Sequence, residues 1–216
     1  MLEHKFPPAT QILADDLLKH KRIKMQQIRE MAEWIGFETR NKYQLTDKDG
    51  FQIAFAAEQQ KGFLGFILRQ LFGHWRSFEI HIYNKNRQHC LTLKHPFRWL
   101  FQRLEVFEES GKMVGALQQR FALLYKSFDV EDSRGKPLYK VRSPLWRLWT
   151  FTFTRHERSV ADVQKKWSGL FSEVFTDRDN FVLSFYEQEV NPSDRLLILS
   201  AAMFIDLQYF EKKNSG

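Results

Sequence analysis

The sequence predicts a closed antiparallel β-barrel wrapped around a hydrophobic helix, and three observations predict it. Residues 196–210, LLILSAAMFIDLQYF, are apolar at nearly every position, with no charge, Pro or Gly from Leu196 to Ile205. A helix that is apolar on all faces must be buried. From Lys42 onward the periodicity is two, which marks about ten or eleven short strands. The connections between them alternate between polar turns and long apolar loops, the pattern of an up-and-down meander closed around a core element.

Taken in order, residues 10–35 carry a helical pattern of Ile12, Leu13, Leu17 and Leu18, then Ile28, Met31, Trp34 and Ile35, ended by Gly36. This predicts a helical, basic extension over 1–35 ahead of a barrel domain over 36–216. The run Lys19-His20-Lys21-Arg22-Ile23-Lys24 reads either as a phosphate contact or as a solvated face. Glu3, His4, Lys5 and Pro7-Pro8 do not form a signal-peptide pattern, so an intracellular location is expected.

The strands come next. Phe51, Ile53 and Phe55 alternate with Gln52 and Ala54; Phe78, Ile80 and Ile82 alternate with Glu79 and His81; Phe151 and Phe153 alternate with threonines. Runs at 104–107, 113–117, 124–130 and 181–186 complete the strand set. Residues 47–50, 84–87, 109–112 and 132–135 are short polar hairpin signals. Three other connections are long and apolar. The first carries Phe63, Leu64, Phe66, Ile67, Arg69, Phe72 and Trp75; the second Phe97, Arg98 and Trp99; the third Leu145, Trp146, Arg147 and Trp149. Every second connection of a meander lies at the same end, so these three gather at one pole and the hairpins at the other.

The last element has a marked start: Asn191 as cap, Pro192 in the first turn and Asp194 at the positive end of the dipole. Fifteen helical residues span about 22 Å at 1.5 Å each, whereas a bilayer core needs about 30 Å and some 20 apolar residues. Asp206 also interrupts the run, so this is a core helix, and burying it is worth about 10–20 kcal/mol gross.

Composition bounds the function. The chain has 216 residues, long enough for one domain with an extension, and a formal charge of +7 with 21 Phe and 6 Trp. A basic, aromatic-rich surface suits anionic lipid; no RNA- or DNA-binding motif accompanies the charge, so nucleic acid is not expected. Cys90 is the one cysteine, which excludes an intrachain disulfide and a cysteine zinc site. His81 and His89 flank a hairpin and can face each other, yet two histidines lack a third metal ligand. There is no nucleophile elbow, P-loop or zinc-protease motif, so no enzyme is expected.

Several stretches resemble the phospholipid scramblase family, whose barrel is shared with the tubby-like C-terminal domains. They are Gly36-Phe37-Glu38-Thr39-Arg40-Asn41-Lys42-Tyr43, Phe55-Ala56-Ala57-Glu58, Trp167-Ser168-Gly169-Leu170, Glu173-Val174-Phe175-Thr176-Asp177-Arg178-Asp179-Asn180-Phe181, and Phe204-Ile205-Asp206 with Phe210-Glu211. The resemblance runs from about Met25 to Lys212. It implies a mainly β fold of about twelve strands enclosing the C-terminal helix, and an activity of calcium-stimulated movement of phospholipid between leaflets. The family's palmitoylated cysteine clusters fall where this chain has its apolar loops, so Phe, Trp and Leu stand in for acyl chains here, with Arg69, Arg98 and Arg147 available to lipid phosphates. The alternative is that the loops pack on the helix ends, on the N-terminal segment or on a second subunit. The family's calcium segment maps onto residues 177–188. A calcium loop wants oxygen ligands at positions 1, 3, 5, 7, 9 and 12, and of the side chains there only Asp177 and Asp179 are good hard ligands, so no cofactor is required and Ca²⁺ binding competes with a plain turn into a strand.

The expectation is therefore a peripheral protein on the cytoplasmic face of a membrane that binds anionic phospholipid and can move it between leaflets. The alternative is a tubby-like scaffold that recognises lipid or a protein without moving lipid, with a protein partner or self-association served by the same aromatic loops.

Overall fold

The computed structural model describes residues 5–28, 42–59, 77–144, 146, 149–166, 180–186 and 190–210. A helix α1 (Pro8–Lys19) is followed by twelve strands: β1 (Arg22–Ile28), β2 (Lys42–Thr46), β3 (Gln52–Glu58), β4 (Phe78–Asn84), β5 (His89–His95), β6 (Arg103–Glu108), β7 (Met113–Arg120), β8 (Tyr125–Asp132), β9 (Pro137–Pro144), β10 (Thr150–Arg155), β11 (Arg158–Lys166) and β12 (Asn180–Phe185). A second helix, α2 (Pro192–Ile205), runs on into a π-helical turn, Asp206–Phe210. The strands form one closed barrel in which each pairs antiparallel with its sequence neighbours and β1 closes against β12. Twelve strands replace the ten or eleven counted from periodicity and agree with the count that the resemblance implied.

Two local expectations are corrected. The helical pattern drawn over 10–35 stops at Lys19, and Arg22–Ile28 is the strand that closes the barrel. Arg22 and Lys24 point to solvent while Ile23 and Met25 are buried, a period-two pattern hidden inside a longer one. A barrel boundary at residue 35 would thus cut the closing strand away. The second correction concerns β3. Phe51 is exposed rather than inward. A register shift at Leu45/Thr46 leaves Ile53 as an extra residue, and such a bulge reverses the phase beyond it. Ala54 and Ala56 therefore pair with the inward Asn84 and Ile82, and Phe55 lies opposite Tyr83 on the other face.

The helix α2 fills the barrel. Every residue from Asp194 to Ile205 is buried, as the all-apolar stretch predicts. Asn191 caps it, its side chain accepting from the Asp194 N–H at 2.8 Å. The fit is close: a Cβ added at Gly115 on β7 would lie 2.9 Å from the Leu197 side chain and 2.3 Å from the Glu131 carbonyl oxygen. Further along, the Phe204 ring packs between Phe78, His95 and Phe128 at centroid distances of 6.3, 5.3 and 6.2 Å.

At the end where α2 enters, four of the strand pairs are joined by matching hairpins, and β10–β11 turns through His156 and Glu157. In each of the four hairpins, the residue before the turn accepts from the fourth: Gly50 N–H to Asp47, Arg87 to Asn84, Gly111 to Glu108 and Gly135 to Asp132. The fourth residue sits at φ of 90, 61, 83 and 79°, respectively. Helix α1 lies across this pole: Thr10 Oγ1 donates to the Cys90 carbonyl at 2.8 Å, Asn84 Nδ2 to the Ala9 carbonyl at 3.3 Å, and the Ala9 N–H to Glu109 Oε1 at 3.3 Å. Buried Arg195, at the start of α2, donates to the Leu17 and His20 carbonyls at 2.6 and 2.9 Å, holding the last turn of α1. Asp194 beside it is bound by Tyr139 and Arg155 of the barrel wall.

Candidate functional site

The opposite pole is built from the other set of connections. β5 runs into β6 through residues 96–102. The backbone there is fastened at its base: the Gln102 N–H donates to Gln119 Oε1 at 2.9 Å, the Gln119 N–H to the Gln102 carbonyl at 2.8 Å, and Gln102 Nε2 to the Arg98 carbonyl at 3.3 Å. Beyond this fastening the side chains of Phe97, Trp99, Leu100 and Phe101 project into solvent, Trp99 at 64% exposure. Phe97 and Trp99 meet edge to face, 6.2 Å between centroids. Arg98 is exposed among them.

The next connection round the rim joins β7 to β8. Phe121, Leu123 and Leu124 are all exposed, Leu123 at 78%, and Tyr125 follows at the first position of β8. Sequence reasoning missed this loop because Leu124 was absorbed into a strand drawn over 124–130. The signal was present as Phe-Ala-Leu-Leu-Tyr, five apolar or aromatic residues without a turn former. The third connection, β9 to β10, carries Trp146 at 79% exposure. Trp149, expected at the same surface, is corrected: its ring packs half-buried against the core, with the Lys165 ammonium 5.3 Å from its centroid. The physical reason is that Trp149 immediately precedes β10, where its carbonyl already accepts from the Lys165 N–H at 3.0 Å and ties it to the wall.

Of the other expected residues, Phe63, Leu64, Phe66, Ile67, Arg69, Phe72, Trp75, Leu145 and Arg147 lie outside the described residues, as do Asp177 and Asp179.

Just below the rim, the outer face of β6–β8 is a charged lattice. Arg103 reaches Glu131 at 2.8 Å and Glu105 at 3.3 Å, while Arg120 reaches Glu131 and Asp129, each at 2.7 Å. Arg142 on β9 places its guanidinium 5.4 Å from the Tyr125 ring centroid. Inside the rim, the π-helical turn at the end of α2 meets the barrel wall. His95 Nδ1 donates to the Arg103 carbonyl at 2.7 Å, which leaves Nε2 to accept from Gln208 of the π-helical turn at 3.4 Å.

On the outer face of β4–β5, His81 and His89 do face each other, ring centroids 4.8 Å apart. His81 Nε2 lies 2.8 Å from Glu79 and His89 Nε2 bonds Thr92 at 3.0 Å. Burial, and then the neighbouring His81, push His89 below the usual histidine range. No group of three metal-ligating side chains occurs among the described residues.

The family model described as Scramblase matches residues 3–212 of this chain. A phospholipid scramblase family protein of Schizosaccharomyces pombe is 25% identical over 97% of this chain and 63% of its own length. Phospholipid scramblase 1 of Mus musculus is 27% identical over 95% of this chain and 65% of its own, and phospholipid scramblase 2 of Bos taurus 28% identical over 95% and 72%. The chain thus spans roughly two thirds of the length of these relatives.

Proposed function

Because the chain belongs to the scramblase family, we propose that it is a peripheral, non-catalytic membrane protein that seats its apolar pole in anionic phospholipid on a cytoplasmic face and moves or disturbs lipid there. The observation that carries this is the exposure of Phe97, Trp99, Leu100, Phe101 and Trp146 at one pole, the first four on a loop fastened at its base through Gln102. Large exposed apolar patches mark interaction surfaces, and Trp, Phe and Arg together suit the interfacial layer of a bilayer. The loop set 60–76, with Phe63, Phe66, Arg69 and Trp75, joins strand ends at this same pole and is assigned to the same role. The lumen is filled by α2, so any lipid movement would proceed along the outer surface rather than through the barrel. Among the described residues no helix is long and apolar enough to cross a membrane, which accords with peripheral attachment. Calcium is not needed in this reading: of six ligand positions in the 177–188 segment, only Asp177 and Asp179 are carboxylates, a poor fit to a calcium loop.

The test is cosedimentation with vesicles of phosphatidylcholine and phosphatidylserine, followed by a leaflet-exchange assay with fluorescent lipid. Binding should weaken with salt through the Arg side chains, and Trp99→Ala with Trp146→Ala should reduce it about tenfold or more, since a buried aromatic contributes roughly 1.5–3 kcal/mol. The double variant should melt within a degree or two of the parent, as exposed substitutions usually do, near ~0.5 kcal/mol. Unchanged binding in the double variant would sink the membrane-face reading.

A further inference from the structure

We propose that the β7–β8 connection is the leading membrane-insertion element of this pole, and that Arg142 beside it meets the phosphate of an anionic lipid, so that the barrel stands end-on with α2 along the membrane normal. This rests on the functional reading above and names the element and orientation which that reading leaves open.

The loop is the most apolar exposed run among the described residues. Residues 121–124 read Phe-Ala-Leu-Leu, and three of the four are large side chains two-thirds or more in solvent. Its side chains carry no charge and no hydrogen-bonding group, so nothing in them opposes an apolar surrounding, and its peptide groups suit the interfacial layer where water and headgroups still reach them. Order around the barrel puts it between the connections that carry Trp99 and Trp146. Strands stand about 4.8 Å apart, so successive connections on one rim lie roughly 10 Å apart and form a continuous arc. No acidic residue occurs in 96–102, in 121–125 or at 146. Arg103 and Arg120 at the edge of the arc are engaged by Glu105, Asp129 and Glu131, and Lys126 lies over Phe151. Arg98 is exposed within the arc, and Arg142 sits over Tyr125, which places a basic head and an amphipathic ring at one level, as the headgroup layer requires. A second copy of the chain is a poorer occupant: an isologous contact would set these arginines against themselves. The axis follows from α2, which is held at the hairpin pole by Arg195 and reaches His95 at this one through Gln208.

The chain offers a clean probe. Cys90 is buried and burial pushes its thiol up to about 12, so a thiol introduced at Leu124→Cys takes a polarity-sensitive fluorophore selectively. On phosphatidylcholine–phosphatidylserine vesicles that label should shift to the blue and become accessible to lipid-borne quenchers, while the same label at Arg134→Cys on the hairpin pole stays in water. Leu123→Ser with Leu124→Ser should lower vesicle binding about tenfold or more through the lost apolar burial, and Arg142→Gln should flatten its salt dependence. If the chain binds vesicles while the Leu124 probe remains in water and the serine variant binds unchanged, this proposal fails and the membrane reading survives. If the unmodified chain binds no vesicles, both fail; binding to phosphatidylcholine alone with equal strength overturns the Arg142 assignment.

Discussion

The two poles of the barrel solve the same problem, turning one strand into the next, in opposite ways. At the hairpin pole the turns are polar and tight, and their side chains close the loops: Asp132 Oδ1 accepts from the Arg134 and Lys136 N–H groups, each at 2.9 Å, and Asn84 Oδ1 from Asn86 and Gln88 at 3.0 and 3.1 Å. Helix α1 then covers the opening. At the other pole the 96–102 loop is fastened at its base through Gln102, but large apolar side chains are left in water, where burial would be worth roughly 1.5–3 kcal/mol each. The first pole is organised for stability. The second retains unspent hydrophobic surface: nine of the twelve exposed large apolar side chains among the described residues lie there, and Phe51 at the first hairpin, Leu18 and Tyr186 are the exceptions.

Both poles depend on the shared helix, so the largest effect should come from charging it. Ala202→Arg places an unpaired cation in the filled lumen, at several kcal/mol, and no soluble folded protein should be recovered in a gel-filtration assay. Recovery of a folded monomer would break the core-helix account and with it the division into poles. Next comes the attachment of α1. Arg195→Met leaves the Leu17 and His20 carbonyls without their buried donor, and about 2–4 kcal/mol should be lost. Hydrogen exchange should rise first in α1, while Trp99 fluorescence at the far pole stays unchanged.

A finer contrast lies among the hairpins themselves. Of the four hairpins closed by the matching bond, three carry Gly at the left-handed position and the fourth carries Arg87 at φ 61°; the tighter β10–β11 turn has His156 and Glu157 at φ 47 and 61°. Arg87→Gly should therefore stabilise by about 0.5–1 kcal/mol in chemical denaturation, strain relief exceeding the added chain entropy, and Gly135→Ala should destabilise by a similar amount. The smallest expected effect is on acid stability. Burial raises the pKa of Asp16 at the α1 contact, but hydrogen bonds and charges from Lys19 and Lys85 outweigh it, and the net shift is downward from 3.8. A lowered folded-state value adds stability above the unfolded pKa that disappears as pH falls through the folded one. Asp16→Asn should accordingly flatten the acid limb of a melting-temperature profile below pH 4, leaving the profile near pH 7 parallel to the parent's.

What the sequence by itself determined is local or extreme. Asn191, Pro192 and Asp194 start a helix through contacts within four residues, and a stretch apolar on every face can only be buried. The hairpins at 47–50, 84–87, 109–112 and 132–135 were readable because Asp, Asn and Gly set turn geometry through their own backbone. The gathering of apolar connections at one pole followed from the alternation of the meander, and twelve strands came from resemblance rather than from counting. Only the tertiary structure decided the rest. Arg22–Ile28 is a strand because β2 and β12 flank it, not because its own residues compel one. Phe55 faces outward because a bulge at Thr46 reverses the phase. Phe121, Leu123 and Leu124 stand in water while Trp149 does not, although all four are equally hydrophobic to a reader of the chain. Register and burial are settled by partners far away in sequence, and a side chain's polarity records what it prefers rather than which neighbours the closed barrel supplies.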